Sequence, residues 1–473
     1  MYQPQPAKPR LRVSHKIYIF APAMESKLNL KKEYGATLRL AVPIILSQVG
    51  QIITQLADNI MVGRLGALPL AAVSFGGTVS FILFISCMGI TLGITPIVGE
   101  AFAQGRHRDA SSYLRNAIAL YCGIGLMIFG VQMGLIPLLD NMGQPDEVVQ
   151  LAIPYYKYLV WSLLPFMLFA AFKQFLEGIG NTTISMIIVV FSNLLNVLLN
   201  YLFIYGKWGA PEMGAVGAGL ATFISRLITP FLIIGYCVIH HRVRRYLIML
   251  RQTRLKWSKI KELLKVGFPI CVQMSLEGWT FAFSSIMMGW LGTVAIAANQ
   301  IAITLCNIGF LSLLGISSAT TIRVSHAYGA GDYDAIKRIG ASSYRIGLVW
   351  NAFTAFTFVL LRNLLPQAFT NSEDVIAMTA NILLVVALFQ FSDGMQCIGM
   401  GILRGMQDVK ITMKIAFISY LVINIPVGYI LGFTLGFGEI GVWFGYIFGL
   451  STAALLLRRR FNKNLEATPQ ISE

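Results

Sequence analysis

The sequence predicts an all-α polytopic membrane protein: twelve transmembrane helices forming two parallel six-helix bundles around a central cleft. Three observations carry this. The 473 residues are 56% hydrophobic and only 12% charged, about half the charge density of a soluble globular domain. The apolar residues gather into twelve long runs, each near or beyond the ~20 helical residues that cross a hydrocarbon core. The second half of the chain also repeats the first.

The runs cover residues 36–62, 68–98, 112–139, 150–175, 182–205 and 213–240 in the first half. In the second half they cover 259–290, 295–325, 340–368, 375–402, 411–434 and 438–458. The expected organisation is an N-terminal tail (1–35), a first bundle (36–240), a basic linker (241–258), a second bundle (259–460) and a C-terminal tail (461–473). The tail ahead of the first run is polar and basic, and its IYIFAP stretch is too short for the apolar region of a secretory signal. Met24 offers an alternative start.

Charge sets the expected orientation. With the N-terminus in the cytoplasm, inside segments hold 32 of the 37 Lys and Arg residues, nine of them between Arg242 and Lys265. Such a bias places both termini on the cytoplasmic side. The net charge of +16 does not point to nucleic acid, because the basic residues cluster between apolar runs instead of sharing an aromatic-lined face. The six cysteines sit singly inside apolar runs, without metal or redox spacing, and read as packing residues. The five histidines lie in the tail, in loops or at helix ends, and there is no HExxH, Walker A loop or nucleophile elbow. The chain is not expected to be an enzyme, and no cofactor is expected.

The repeat is direct. LRLAVPI at Leu38 recurs as LKVGFPI at Leu264, and NIMVGRLGALPLAAVS at Asn59 as SIMMGWLGTVAIAANQ at Ser285, both at an offset of 226. LEGIGNTTISM at Leu176 answers LRGMQDVKITM at Leu403, at 227. Six helices per repeat make the halves parallel, related by an axis along the membrane normal, as in transporters with a central cleft.

Polar residues inside the runs mark candidate sites. From Val375 to Leu403 the only charged residue is Asp393, and a carboxylate in such a place is costly and usually functional. Asp58, Glu277 and Arg226 are the other ionisable residues expected within spans. Gln48, Gln51, Gln55 and Asp58 form one helical stripe, Gln273, Glu277, Thr280 and Ser284 another, and Gln390, Asp393 and Gln396 a third. Asn193, Asn196 and Asn200 share a face of the fifth run, where interhelical amide bonding would be reason enough for them. The acids break the internal symmetry: Asp58 pairs with Ser284, Glu277 with Gln51 and Asp393 with Phe166. At 1.5 Å per residue, Asp58 and Asn200 lie ~30 and ~27 Å from their inner ends and Thr222 ~14 Å from its outer end, so the three can meet. Glu277 and Asp393 lie at comparable depths. Carboxylate, amide, hydroxyl and carbonyl oxygens suit Na⁺, and the same carboxylates can instead carry a proton.

The repeat, ADNIMVGRLG, SLEGWTF, SDGMQ with LRG, NVLLNYLFIYG and GAGLATF together resemble the multidrug and toxic compound extrusion (MATE) transporters, in particular their NorM-like bacterial branch. The resemblance runs from about residue 30 to 460. It implies a V-shaped cleft and drug export coupled to Na⁺ or H⁺ entry. It also implies a cation-coupling site at Asp58, Asn196, Asn200, Thr222 and the Ala218 carbonyl, with Na⁺ ligands among them. A second site for coupling or substrate would comprise Glu277, Asp393, Gln390 and Gln396, with Gln51, Gln55, Gln273 and Thr280 lining the cleft. Position 200 is Asn where the archaeal branch has Asp. Phe389 stands where NorM-like members carry Tyr, so no phenol is expected from that position. Pro43 falls where some members bend the first helix, though its repeat partner Pro269 fits a structural role equally well.

The resulting expectation is a secondary active exporter of cationic or zwitterionic amphiphiles, working as a monomer in antiport with Na⁺ or H⁺. The alternatives are a lipid-linked precursor flippase, which would line its cleft with Lys and Arg, and a cation channel or receptor-like membrane protein.

Overall fold

The computed structural model describes residues 22–466, with side chains from Lys31 onward. The expected tails lie partly outside these residues. In lipid, a backbone has no water to bond, so each spanning segment must satisfy its own N–H and C=O groups. Accordingly, the described residues contain helices and no strand. The twelve long elements are α1 (Pro22–Gly63), α2 (Ala67–Ala103, interrupted at Leu92–Gly93), α3 (His107–Gly134), α4 (Asp146–Gly178), α5 (Thr183–Tyr205) and α6 (Gly214–Ile239). The second half holds α7 (Trp257–Trp290), α8 (Thr293–Ala330), α9 (Tyr333–Leu360), α10 (Glu373–Gly405), α11 (Val409–Thr434) and α12 (Gly438–Glu466). Ten of these are long and apolar enough to cross a membrane; α7 and α9, at 34 and 28 residues, are long enough but less apolar.

The apolar core falls into two main clusters, one centred on α2–α6 and joined by Leu263, Val266 and Ile270 of α7, the other centred on α7–α12. A basic connector helix, His241–Gln252, joins them and inserts Val243 and Tyr246 against the first core. Both Pro43 and Pro269 sit inside continuous helices. By contrast, α11 is not a regular α-helix. It widens into π-helical turns at Ile418–Asn424 and Ile430–Thr434, on either side of Pro426.

The two halves touch at the end that carries the connector, and small residues make the approach possible. A Cβ on Gly89 would lie 2.5 Å from Cys271 Cα, and one on Gly315 would lie 2.4 Å from Ile45 Cγ1. These two contacts are repeat partners at the offset of 226. Gly99 and Ser325, also separated by 226, touch each other: a Cβ on Gly99 would lie 2.0 Å from Ser325 Oγ. The pseudo-twofold axis therefore passes between them. Polar ties close the same end. Arg323 donates to Thr37 Oγ1 at 2.6 Å and pairs with Glu33. His326 Nε2 lies 2.7 Å from the Gly178 carbonyl, and Gln407 Nε2 donates to Glu100. Gln407 holds φ = 59° where its repeat counterpart is Gly180, a conformation costly for a residue with a side chain.

Towards the other end the halves part. The contact between α2 and α7 persists through Ser86 and Ser275, whose hydroxyls are 3.4 Å apart, and through Ile85 beside Gly278. Beyond it Phe81, Trp279 and Ile286 are exposed, as are Ile53 and Ile308 in the symmetric seam. The cleft is closed at the connector end and open at the opposite one.

Gly89→Val tests this seam, since the added side chain meets backbone that cannot step aside. The expected result is loss of the closed-end contact, with Cys87 and Cys271, both buried, gaining maleimide reactivity several-fold in native membranes. Unchanged labelling at both cysteines would show that the seam is not closed in this way.

Candidate functional site

In the first bundle, α1, α5 and α6 converge on Asp58. Its carboxylate accepts a hydrogen bond from Asn200 Nδ2. Asn200 Nδ2 also donates to Asn196 Oδ1 at 3.2 Å, one turn away on α5. Asn196 Nδ2 donates to Thr222 Oγ1 at 3.3 Å and to Ser225 Oγ at 3.4 Å, and Thr222 Oγ1 donates to the Ala218 carbonyl at 3.0 Å. Turning the Asn196 amide over directs its nitrogen to Asp58 Oδ1 at 3.0 Å and its oxygen to the Thr222 N–H at 3.3 Å. All five residues picked from the sequence thus meet in one network. Asn200 Oδ1 is buried without a partner, an unusual state for an amide oxygen and a fitting one for a group that receives a cation. Among the described residues no three His, Cys, Asp or Glu side chains converge, so a cation here would rely on one carboxylate and neutral oxygens.

The second bundle holds a different arrangement. Asp393 is buried in α10 rather than facing lipid, flanked by the buried Gln390 and Gln396. Glu277 on α7 lies close enough for its charge to act on Asp393. Gln390 has neither amide atom partnered, nor does Asn351, whose amide lies against Gly394. Buried amides this poorly satisfied are rare; one belongs to the residue a turn before Asp393 and lies against Gly309, and the other lies against Gly394, next in sequence to Asp393.

Three groups at this site, and a fourth, Glu177 in the first bundle, are not among the residues picked from the sequence. Tyr420 on α11 exchanges hydrogen bonds with Gln396, at 2.7 and 2.9 Å, so a phenol stands near Asp393 although position 389 supplies none. The π-helical turns of α11 orient it, a backbone feature that hydropathy does not encode. The tenth run of the sequence ends at 402, whereas α10 continues to Gly405 and buries Arg404. Its Nη2 donates to Gln273 Oε1 at 3.5 Å, near Glu277. Glu177 is likewise buried at the end of α4, 3.6 Å from Lys173. Asn351, on α9, was not singled out at all. The signal available in each case was a polar residue one turn beyond an apparent helix end, or within a run.

The four side chains expected to line the cleft divide. Gln51 and Gln55 are exposed, whereas Gln273 and Thr280 are buried in the wall of the second bundle, Thr280 bonding back to the Leu276 carbonyl at 2.8 Å. The stripe on α7 faces inward because α7 also packs on α2 across the seam.

The MatE family model matches residues 43–202 and 269–430, one stretch in each half of the repeat. The chain belongs to the MatE family. Similar relatives of this MatE protein include a probable multidrug resistance protein NorM of Idiomarina loihiensis, 33% identical over 444 residues, covering 92% of this chain and 95% of the relative. Another is the probable NorM of Pasteurella multocida, 33% identical over 449 residues, with 93% and 96% covered. Among solved structures, a multidrug resistance MATE family transporter in an outward-facing conformation superposes with a TM-score of 0.84 at 22% identity, covering 92% of this chain and 97% of that one. A eukaryotic MATE transporter superposes at 0.81 with 18% identity, covering 92% and 98%. The MatE chain is accordingly a multi-pass membrane protein with the MATE transporter fold.

Proposed function

We propose that this MatE chain is a secondary active exporter of cationic or zwitterionic amphiphiles, driven by Na⁺ or H⁺ entry through alternating access. The observation that carries the reading is the placement of acidic sites in both bundles, Asp58 with its amide network in the first and Glu277 with Asp393 in the second, in a molecule whose halves meet at one end and part at the other. In this reading the connector end is cytoplasmic, as the basic residues require. The chain sits in a bacterial inner membrane, and because one chain contains both bundles and both clusters it works as a monomer.

The coupling follows from differential binding. A ligand shifts a two-state equilibrium only by its difference in affinity for the two states. A cation from outside that binds Asp58, or the Glu277–Asp393 pair, more tightly in one state biases the cleft between its two openings. A cationic drug from the cytoplasm competes for the same negative charge, so entry of one opposes retention of the other. The names of the NorM relatives support a drug-like cargo, and a pyrophosphate would call for several basic side chains: Arg404 is buried against Gln273 and Glu277, which leaves Arg226 by itself in a site where acids predominate.

The direct test is purified protein in liposomes loaded with an amphiphilic cationic dye, with Na⁺ and H⁺ gradients imposed separately. Dye efflux should accelerate under at least one gradient and collapse when that gradient is dissipated. Efflux indifferent to both gradients, or an ion current without dye movement, would reject the antiporter reading.

A further inference from the structure

Arg226 occupies the middle of α6, ~18 Å from Gly214 and ~20 Å from Ile239, too deep for its head to reach either interface. A guanidinium carries five N–H donors, and this one uses few of them on the protein. Nη1 donates to Ser162 Oγ on α4 at 2.9 Å, and among the described residues no other hydrogen bond or ion pair engages it. Asp58 is near enough for the two charges to act on each other, but no ion pair joins them; the carboxylate is held by Asn200 instead.

The surroundings of Arg226 have the form of a binding site. The guanidinium lies over Phe84 at 4.9 Å and over Phe166 at 5.9 Å, and the two rings are 4.5 Å apart. A cation over ring faces is attracted to them without using its N–H donors, and the donors that remain are the kind that fork onto a carboxylate. Tyr155 lies within electrostatic reach of both Arg226 and Asp58, and among the described residues its hydroxyl makes no hydrogen bond. Arg226 retains accessible surface. An intramembrane cation with free donors, a phenol beside it and an aromatic platform beneath it is matched to one ligand chemistry: an acid group attached to an apolar body.

Resting on the exporter reading, we infer that Arg226, with Tyr155, Phe84 and Phe166, receives the carboxylate of zwitterionic amphiphiles inside the first bundle. The carboxylate takes the free edge of the guanidinium and the apolar part of the molecule lies along the two phenylalanines. Asp58 stays available for a cation, and the docked carboxylate adds negative charge beside it, which strengthens cation binding there. Cargo bearing only a positive charge has no use for Arg226.

The test is a matched pair of dyes, rhodamine B and its methyl ester, which differ only in whether the carboxylate is free. Transport of both is measured in proteoliposomes of wild type, Arg226→Gln and Arg226→Lys, with equilibrium binding to the purified proteins read by fluorescence. Arg226→Gln should raise the half-saturating concentration of rhodamine B about tenfold, the usual loss for one charge-assisted bond. It should leave the ester within about twofold, and Arg226→Lys should recover part of the difference. Equal weakening of both dyes would overturn the inference and leave Arg226 as a counter-ion to Asp58; no change for either would overturn it as well. If the wild type binds rhodamine B but transports neither dye, the exporter reading fails while the binding comparison still decides the role of Arg226. Failure of the wild type to bind rhodamine B counts against the inference.

Discussion

Asp58→Asn is expected to reduce gradient-driven export to the level of empty liposomes while leaving the protein folded. The substitution is close to isosteric. An Asn at 58 keeps an oxygen that Asn200 can donate to, and Asn196 retains Thr222 and Ser225 as partners. What disappears is the only carboxylate of the network, and with it the charge that would attract Na⁺ or hold a proton. The neutral oxygens of Asn196, Asn200, Thr222 and Ala218 remain, but they cannot offset the loss of hydration of a cation by themselves. Melting temperature and yield in detergent should stay near wild type, because an apolar interior bears a neutral amide more easily than an ionised acid. The measurement is initial efflux under each gradient, with melting recorded on the same preparations. Wild-type efflux by a well-folded Asp58→Asn protein would remove Asp58 from the coupling mechanism.

The second large effect concerns Glu277 and Asp393. If the two act as one site, either single change, Glu277→Gln or Asp393→Asn, should remove most of the coupling, and the double mutant should be little worse than the more damaged single. Residues that act through one shared occupant are non-additive, whereas independent sites lose activity in proportion to the sum of their free energies. The surroundings of the two acids separate their effects on stability. Glu277 faces the buried Arg404, so Glu277→Gln leaves a guanidinium deep in the bundle with only the Gln273 oxygen. Removing one partner from a buried pair of charges is destabilising. Among the described residues no ion pair engages Asp393, whose neighbours include Glu277, Gln396 and Cys306. Glu277→Gln should therefore lower the melting temperature clearly, by several degrees, while Asp393→Asn should hold or raise it. Additive losses of transport in the double mutant, or a melting change of the opposite order, would show that the two carboxylates work separately.

Much of this protein was legible without coordinates. Membrane insertion, the helix runs and the duplication are properties of composition and local periodicity, and each survives in any correct fold of the chain. The N-terminal network was legible as well: Asn196 and Asn200 are one turn apart on α5, Ala218 and Thr222 one turn apart on α6, and shared depth is enough to bring Asp58 to them. Only the tertiary structure decided the rest, because it depends on how each helix is rotated about its axis and how the bundles lean. Rotation puts Gln273 and Thr280 inside the second bundle instead of along the cleft, and lays Arg226 across Phe84 and Phe166. The π-helical turns of α11 aim Tyr420 at Gln396, 24 residues away in sequence. Contacts between halves are set by shape: Gly89 against Cys271 and Gly99 against Ser325 seal the connector end because those positions lack bulk. Which end is open follows from that seam, since two bundles that touch through small residues at one end and carry Phe81, Trp279 and Ile286 at the other can pack closely only where the side chains are short.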